Sequence, residues 1–84
     1  MIELRLFAAA RQAAGRGTDT FDLGEGTPLR ELLAAAEARY GAEFGAVLGT
    51  ARVWVNGDEP GSGPDTPLRP GDEVAVLPPV SGGY

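Results

Sequence analysis

The sequence predicts an α+β fold in two layers, a mixed sheet of four or five strands grasping one main helix. Three observations predict it. Apolar residues alternate with polar ones in short stretches near residues 2–7, 18–23, 52–56 and 73–77, the period of half-buried strands. One long stretch, Leu29 to Tyr40, instead repeats its apolar residues at helical spacing. Finally, 84 residues suffice for one core only, so all these elements must share it. The predicted division is a folded domain over 1–77 and a flexible tail over 78–84.

In chain order, Ile2, Leu4 and Leu6 form the buried side of a first strand, with Glu3, Arg5 and Phe7 on the other. Ala8 to Ala14 is alanine-rich and ends at Gly15, which predicts a short helix. Thr18 to Leu23 alternates as a second strand that buries Phe21 and Leu23 and pairs with the first. After the Gly24-Glu25-Gly26 turn, Thr27 is the expected N-cap and Pro28 the first helical residue. The main helix then carries Leu29, Leu32, Leu33, Ala36 and Tyr40 on one stripe and stops at Gly41. Residues 43–50 resist assignment, with Phe44, Val47 and Leu48 as core plugs in a loop or short turn. Arg52 to Asn56 is a strand with Val53 and Val55 on one face and Trp54 on the other, closed by the turn dipeptide Asn56-Gly57. A polar, proline-rich loop follows to Pro67, and Leu68 anchors the turn before the last strand, Glu73 to Leu77. Pro78-Pro79 ends that strand, because proline has no N–H for the ladder. A right-handed crossover through the main helix brings a later strand parallel to the first.

Composition excludes several functions. The chain has no cysteine and no histidine. It therefore lacks disulfides, an ordinary zinc ligand set, a histidine general base and a Ser-His-Asp triad, which argues against a self-contained enzyme. Seven basic against twelve acidic residues give 7 − 12 = −5, a charge that repels nucleic acid and suits a basic protein partner. All seven basic residues are arginine, so no side-chain amine is available for isopeptide attachment. No apolar run approaches the roughly 20 residues of a membrane span, and no secretory leader pattern opens the chain. The expected location is cytoplasmic, with no membrane partner.

Four segments resemble one family. Ile2 to Gly15, with Phe7-Ala8 and Arg11, is similar to its first strand and short helix; Thr27 to Leu33 to its main helix start; Val55-Asn56-Gly57 to its central strand and turn. The most specific segment is Leu68-Arg69-Pro70-Gly71-Asp72-Glu73-Val74-Ala75-Val76-Leu77-Pro78-Pro79-Val80-Ser81-Gly82-Gly83. Across nearly its whole length the chain thus resembles the ubiquitin-like β-grasp sulfur carriers, the molybdopterin synthase small subunit and ThiS-type family. With 13 glycines in 84 residues, the pair Gly82-Gly83 is weak evidence alone. It gains weight from its place behind a Pro-Pro strand stop. Glycine also suits a terminus threaded through a narrow channel, having no Cβ to meet the walls.

The resemblance implies a non-catalytic carrier that binds no cofactor. ATP, used by a ubiquitin-activating-type adenylating enzyme, converts the Gly83 carboxylate to an acyl-adenylate, and a sulfurtransferase then supplies sulfur to give a thiocarboxylate. The large subunit of molybdopterin synthase receives it. From Pro78 to Gly83 the tail spans at most about 20 Å. Gly82 and Gly83 are the implied chemical end. Phe7, Arg11, Leu77, Pro78, Pro79, Val80 and Ser81 are the implied partner contacts, and Trp54 a further candidate. Phe7 and Leu77 end their strands on the parity opposite the core, so they form an apolar patch or pack under a loop. Arg11 meets the partner or a local acid. Asp58, Glu59, Asp65, Asp72 and Glu73 make a late acidic group that is a solvated face or steers a basic partner. Tyr84 departs from the family pattern, since it locks the Gly83 carbonyl in a peptide bond. Three accounts stand: a precursor trimmed by a processing protease, a cloning or gene-prediction remnant, or a carrier that only docks. Trimming is the working expectation. The sequence leaves open a carrier delivering sulfur to cysteine or another metabolite, a ubiquitin-like protein modifier, and a plain interaction module.

Overall fold

A computed structural model describes residues 1–79. Its elements are β1 (Ile2–Leu6), α1 (Ala8–Ala14), β2 (Thr18–Phe21), α2 (Leu29–Tyr40), α3 (Ala42–Leu48), β3 (Arg52–Val55) and β4 (Glu73–Leu77), with a single 3-10 turn at Gly63–Asp65. The sheet order is β2-β1-β4-β3. β1 runs antiparallel to β2 and parallel to β4, and β3 closes the other edge antiparallel to β4.

Register follows from alternation. Leu4 lies opposite Val74 and Leu6 opposite Val76, so both central strands send every second side chain to the same face, where α2 covers them. Ile2, Leu4, Leu6, Phe21, Leu29, Leu32, Ala36, Phe44, Leu68, Val74 and Val76 are all at most 2% exposed, and no polar side chain among the described residues shares that core. Burying a Leu, Ile, Val or Phe side chain contributes about 1.5–3 kcal/mol, so this single cluster supplies the main favourable term of folding.

The structure corrects or completes the sequence reading in three places: the 43–50 segment, the cap of α2 and Leu23. Residues 43–50, left unassigned, contain a second helix packed on the core, α3, which buries Phe44 completely. Gly41, at φ 110°, breaks the chain between α2 and α3, a conformation that a Cβ disfavours. The later strand that lies parallel to β1 is the last one. Of the expected four or five strands, four are present among the described residues. The residue flanking α2 is Pro28, with no side-chain cap; the Thr27 hydroxyl donates instead to the Gly24 carbonyl at 2.6 Å. Leu23 lies beyond β2 and is only partly buried. The Asn56-Gly57 turn is as expected: φ of 52° and 86° at its two residues match a tight primed hairpin turn, and Val55 and Asp58 exchange both backbone hydrogen bonds across it.

A polar lock ties the end of α2 to β2. The Tyr40 hydroxyl donates to Asp19 Oδ2 at 2.6 Å, and the Arg39 guanidinium donates to the same oxygen and to the Thr20 carbonyl, both at 3.0 Å. Arg39 also lies over the Phe21 ring, 3.9 Å from its centroid, within cation–π range. The Tyr40 hydrogen bond, more than any other contact, holds the Asp19 carboxyl down at about 2, while burial and Asp19 itself push the Tyr40 phenol up to about 12.

Candidate functional site at the root of the tail

β1 and β4 are parallel and end together, which brings their last outward-facing residues side by side. Leu6 pairs with Val76, so the next residues, Phe7 and Leu77, are neighbours across the ladder. The Phe7 N–H donates to the Val76 carbonyl at 3.2 Å, and the Phe7 carbonyl accepts from the Ala10 and Arg11 N–H groups that open α1. With its backbone fixed on both sides, Phe7 leaves its ring 41% exposed. Leu77 is half-buried.

Phe7, Ala8, Leu77, Pro78 and Pro79 line an apolar hollow of about 120 Å³, completed by Val47 of α3 and by Ala51. The expected patch therefore exists, and Pro78 and Pro79 belong to it. On the other side of Phe7 lies a shallower groove that contains Arg11, Arg5 and Gly17. The Arg11 guanidinium packs beside Gly17, and none of the ion pairs among the described residues engages it. The local-acid alternative for Arg11 is thus not realised there. Trp54 is half-buried in a neighbouring groove with Arg52 and Glu59 that Pro79 also borders; among the described residues its indole N–H has no acceptor. Val80, Ser81, Gly82 and Gly83 lie outside the described residues.

The late acidic group divides. Glu73 pairs with Arg5 at 2.7 Å and Asp65 with Arg30. Asp72 accepts the Arg69 N–H at 2.8 Å and the Asn56 amide at 3.1 Å, and its carboxyl is held below the usual range chiefly by that Arg69 N–H. These three acids have partners within the fold, Asp65 at the surface with its side chain 73% exposed, which leaves Asp58 and Glu59 as the exposed late acids without an ion pair among the described residues. Among the described residues no cluster of three or more acid, histidine or cysteine side chains could hold a metal, and no helix is long and apolar enough to cross a membrane.

Sequence reasoning missed the contribution of α3 to the hollow. The spacing of Phe44, Val47 and Leu48, three and four apart, was the available signal. It also missed Ala8, whose φ of 52° leaves no mark in the composition.

A four-stranded mixed sheet with parallel central strands, crossed by one long helix, and an apolar hollow where the last strand ends define the ubiquitin-like β-grasp class. Within that class the chain belongs to the ThiS family, whose model matches residues 4–83. It is 37% identical over 82 residues to a molybdopterin synthase sulfur carrier subunit from Chlamydomonas reinhardtii, covering 98% of each chain. Among solved structures, a putative molybdopterin converting factor subunit 1 from Pyrococcus furiosus superposes with a TM-score of 0.82 at 29% identity, over 94% of this chain and 97% of that one. A complex of subunits 1 and 2 of the molybdopterin-converting factor from Helicobacter pylori matches with a TM-score of 0.62 at 26% identity, over 98% of this chain and 97% of that chain.

Proposed function

We propose that this chain is a sulfur carrier, the small subunit of a molybdopterin synthase, and that it donates sulfur from a thiocarboxylate on Gly83. The observation that carries the reading is the apolar hollow of Phe7, Leu77, Pro78 and Pro79, whose last residue is separated from a Gly-Gly pair only by Val80 and Ser81. It offers a docking surface at the base of a segment whose end has no side chains. Phe7, Arg11 and Leu77 meet the large subunit, and Pro78, Pro79, Val80 and Ser81 lead Gly82 and Gly83 into its pocket.

Removal of Tyr84 by a processing protease frees the Gly83 carboxyl. A ubiquitin-activating-type enzyme then joins that carboxylate to the α-phosphorus of ATP, releasing pyrophosphate. The terminal sulfur of a sulfurtransferase persulfide attacks the adenylate carbonyl and displaces AMP. A thiol then cleaves the resulting acyl disulfide, freeing the thiocarboxylate while the sulfurtransferase sulfur passes into a disulfide with that thiol. The carrier has no histidine or cysteine to act as base or nucleophile, so its partners perform every bond change while it supplies reach and docking. Affinity comes from placing an exposed ring in a complementary apolar site, the usual anchor of an interface.

Intact-mass spectrometry tests the chemistry. A chain ending at Gly83, incubated with the adenylating partner, ATP and a sulfur donor, gains the mass of one oxygen-to-sulfur exchange; a chain still carrying Tyr84 gains nothing. An unchanged mass in the trimmed chain refutes the carrier reading.

A further inference from the structure

Only two non-glycine residues among the described ones have positive φ, Ala8 and Asn56, both at 52°. Asn56 is accounted for by its hairpin turn. Ala8 has no such account: its side chain makes no local hydrogen bond, and for a residue with a Cβ the left-handed region is disfavoured. Such an outlier persists only where its surroundings over-determine it. Here they do. β1 ends at Leu6 and α1 begins at Ala8, so the whole change of direction falls on the link between them. Phe7 on one side is extended, at φ −130° and ψ 154°, with its N–H on Val76. Its carbonyl receives both Ala10 and Arg11. A left-handed Ala8 joins these two anchors.

We propose that Ala8 is a positioning residue for docking: its left-handed backbone, narrowed by its Cβ, holds the Phe7 ring outward at the rim of the hollow. The inference rests on the docking role assigned to that hollow. An unrestrained Phe at this place would gain by collapsing onto Leu77 and Pro78 and closing the site, because burial of a large apolar side chain is favourable. Left-handed alanine has a small allowed region, whereas glycine at the same φ has a wide one. The strain of Ala8 and the fixed exposure of Phe7 are then one device. An interface anchor held in its bound position loses less freedom on association.

The test uses three versions of the 84-residue chain: the natural one, Ala8→Gly, and one carrying D-alanine at position 8, made by chemical synthesis. Glycine removes both the strain and the restraint; D-alanine removes the strain and keeps the restraint, since its preferred φ is positive. Ala8→Gly is expected to raise Tm by about 2–6 °C, to increase the mobility of the Phe7 ring in carbon-13 relaxation, and to weaken binding to the large synthase subunit by about three- to tenfold. The D-alanine chain is expected to raise Tm while keeping both ring order and affinity. A Phe7 ring equally ordered in all three, or a D-alanine chain that loses affinity as Ala8→Gly does, overturns the inference. Phe7→Ala is the separate check on docking. If it leaves affinity unchanged, the docking reading fails while the ring-mobility comparison still judges Ala8.

Discussion

At the scale of single residues, the same residue type carries different consequences according to what its atoms meet. Thr27 stands where a helix cap is expected, yet its hydroxyl satisfies a turn carbonyl and no helix N–H. A working cap contributes about 0.5–2 kcal/mol; an exposed hydroxyl on a turn carbonyl contributes less. Thr27→Ala is therefore expected to cost under about 0.5 kcal/mol, read by urea denaturation, and a loss of 1 kcal/mol or more would restore the capping role. Ala8 is the opposite case. A small, unremarkable side chain carries a backbone strain of about 1–2 kcal/mol beside the hollow proposed above as the docking surface. Composition cannot reveal it, because alanine reads as a good helix former, and the left-handed turn belongs to the two anchors on Phe7 that it joins. Phe7 and Leu77 are legible only in part: parity puts both opposite the core, but whether they form a patch or pack under a loop is decided by the pairing of β1 with β4, which brings the two residues together.

At the scale of elements, the strands and the main helix announce themselves through period and punctuation, and all four strands and α2 fall where that pattern places them, to within a residue or two. α3 does not announce itself. It is seven residues long, has glycine at its middle and at both flanks, and has no side-chain cap. Its stability comes from Phe44 in the core, since isolated helices of this length are marginal. The Asp19–Tyr40–Arg39 lock was equally hidden, because it joins residues twenty or more apart. Its pH dependence has a definite sign. Asp19 titrates at about 2 in the fold against 3.8 ordinarily, so its contribution, about 2 kcal/mol, is complete above pH 4 and is lost as pH falls from about 4 to 2. Tyr40 is raised from 10.0 to about 12, so its share is complete below pH 10 and fades as pH climbs from 10 to 12. Thermal melts across pH 2–7 should thus show the natural chain falling more steeply below pH 4 than Asp19→Asn. Parallel curves would remove Asp19 from the account.

At the scale of the whole molecule, a charge of −5 acts at a distance while the hollow acts on contact. With Glu73, Asp65 and Asp72 each partnered within the fold, Asp58 and Glu59 remain as the exposed late acids without an ion pair among the described residues. Encounter with a basic partner is accelerated by such a field and slowed by salt that screens it. Raising salt from 0.05 to 0.5 M is expected to slow association with the large subunit about tenfold and to change dissociation little, since an apolar anchor governs release. Stopped-flow measurement of both rates decides, and a salt-independent association rate would remove the steering role.

The strand order has a mechanical meaning as well. β4, from which residues 78–84 continue, is an interior strand gripped by β1 on one flank and β3 on the other. Traction applied through those residues loads two ladders at once along their length, so their bonds share the force and do not open one by one from an end. A partner that reels in the terminus would therefore tug on one of the two strands paired on both flanks, and the body can be drawn up tight and released without unravelling.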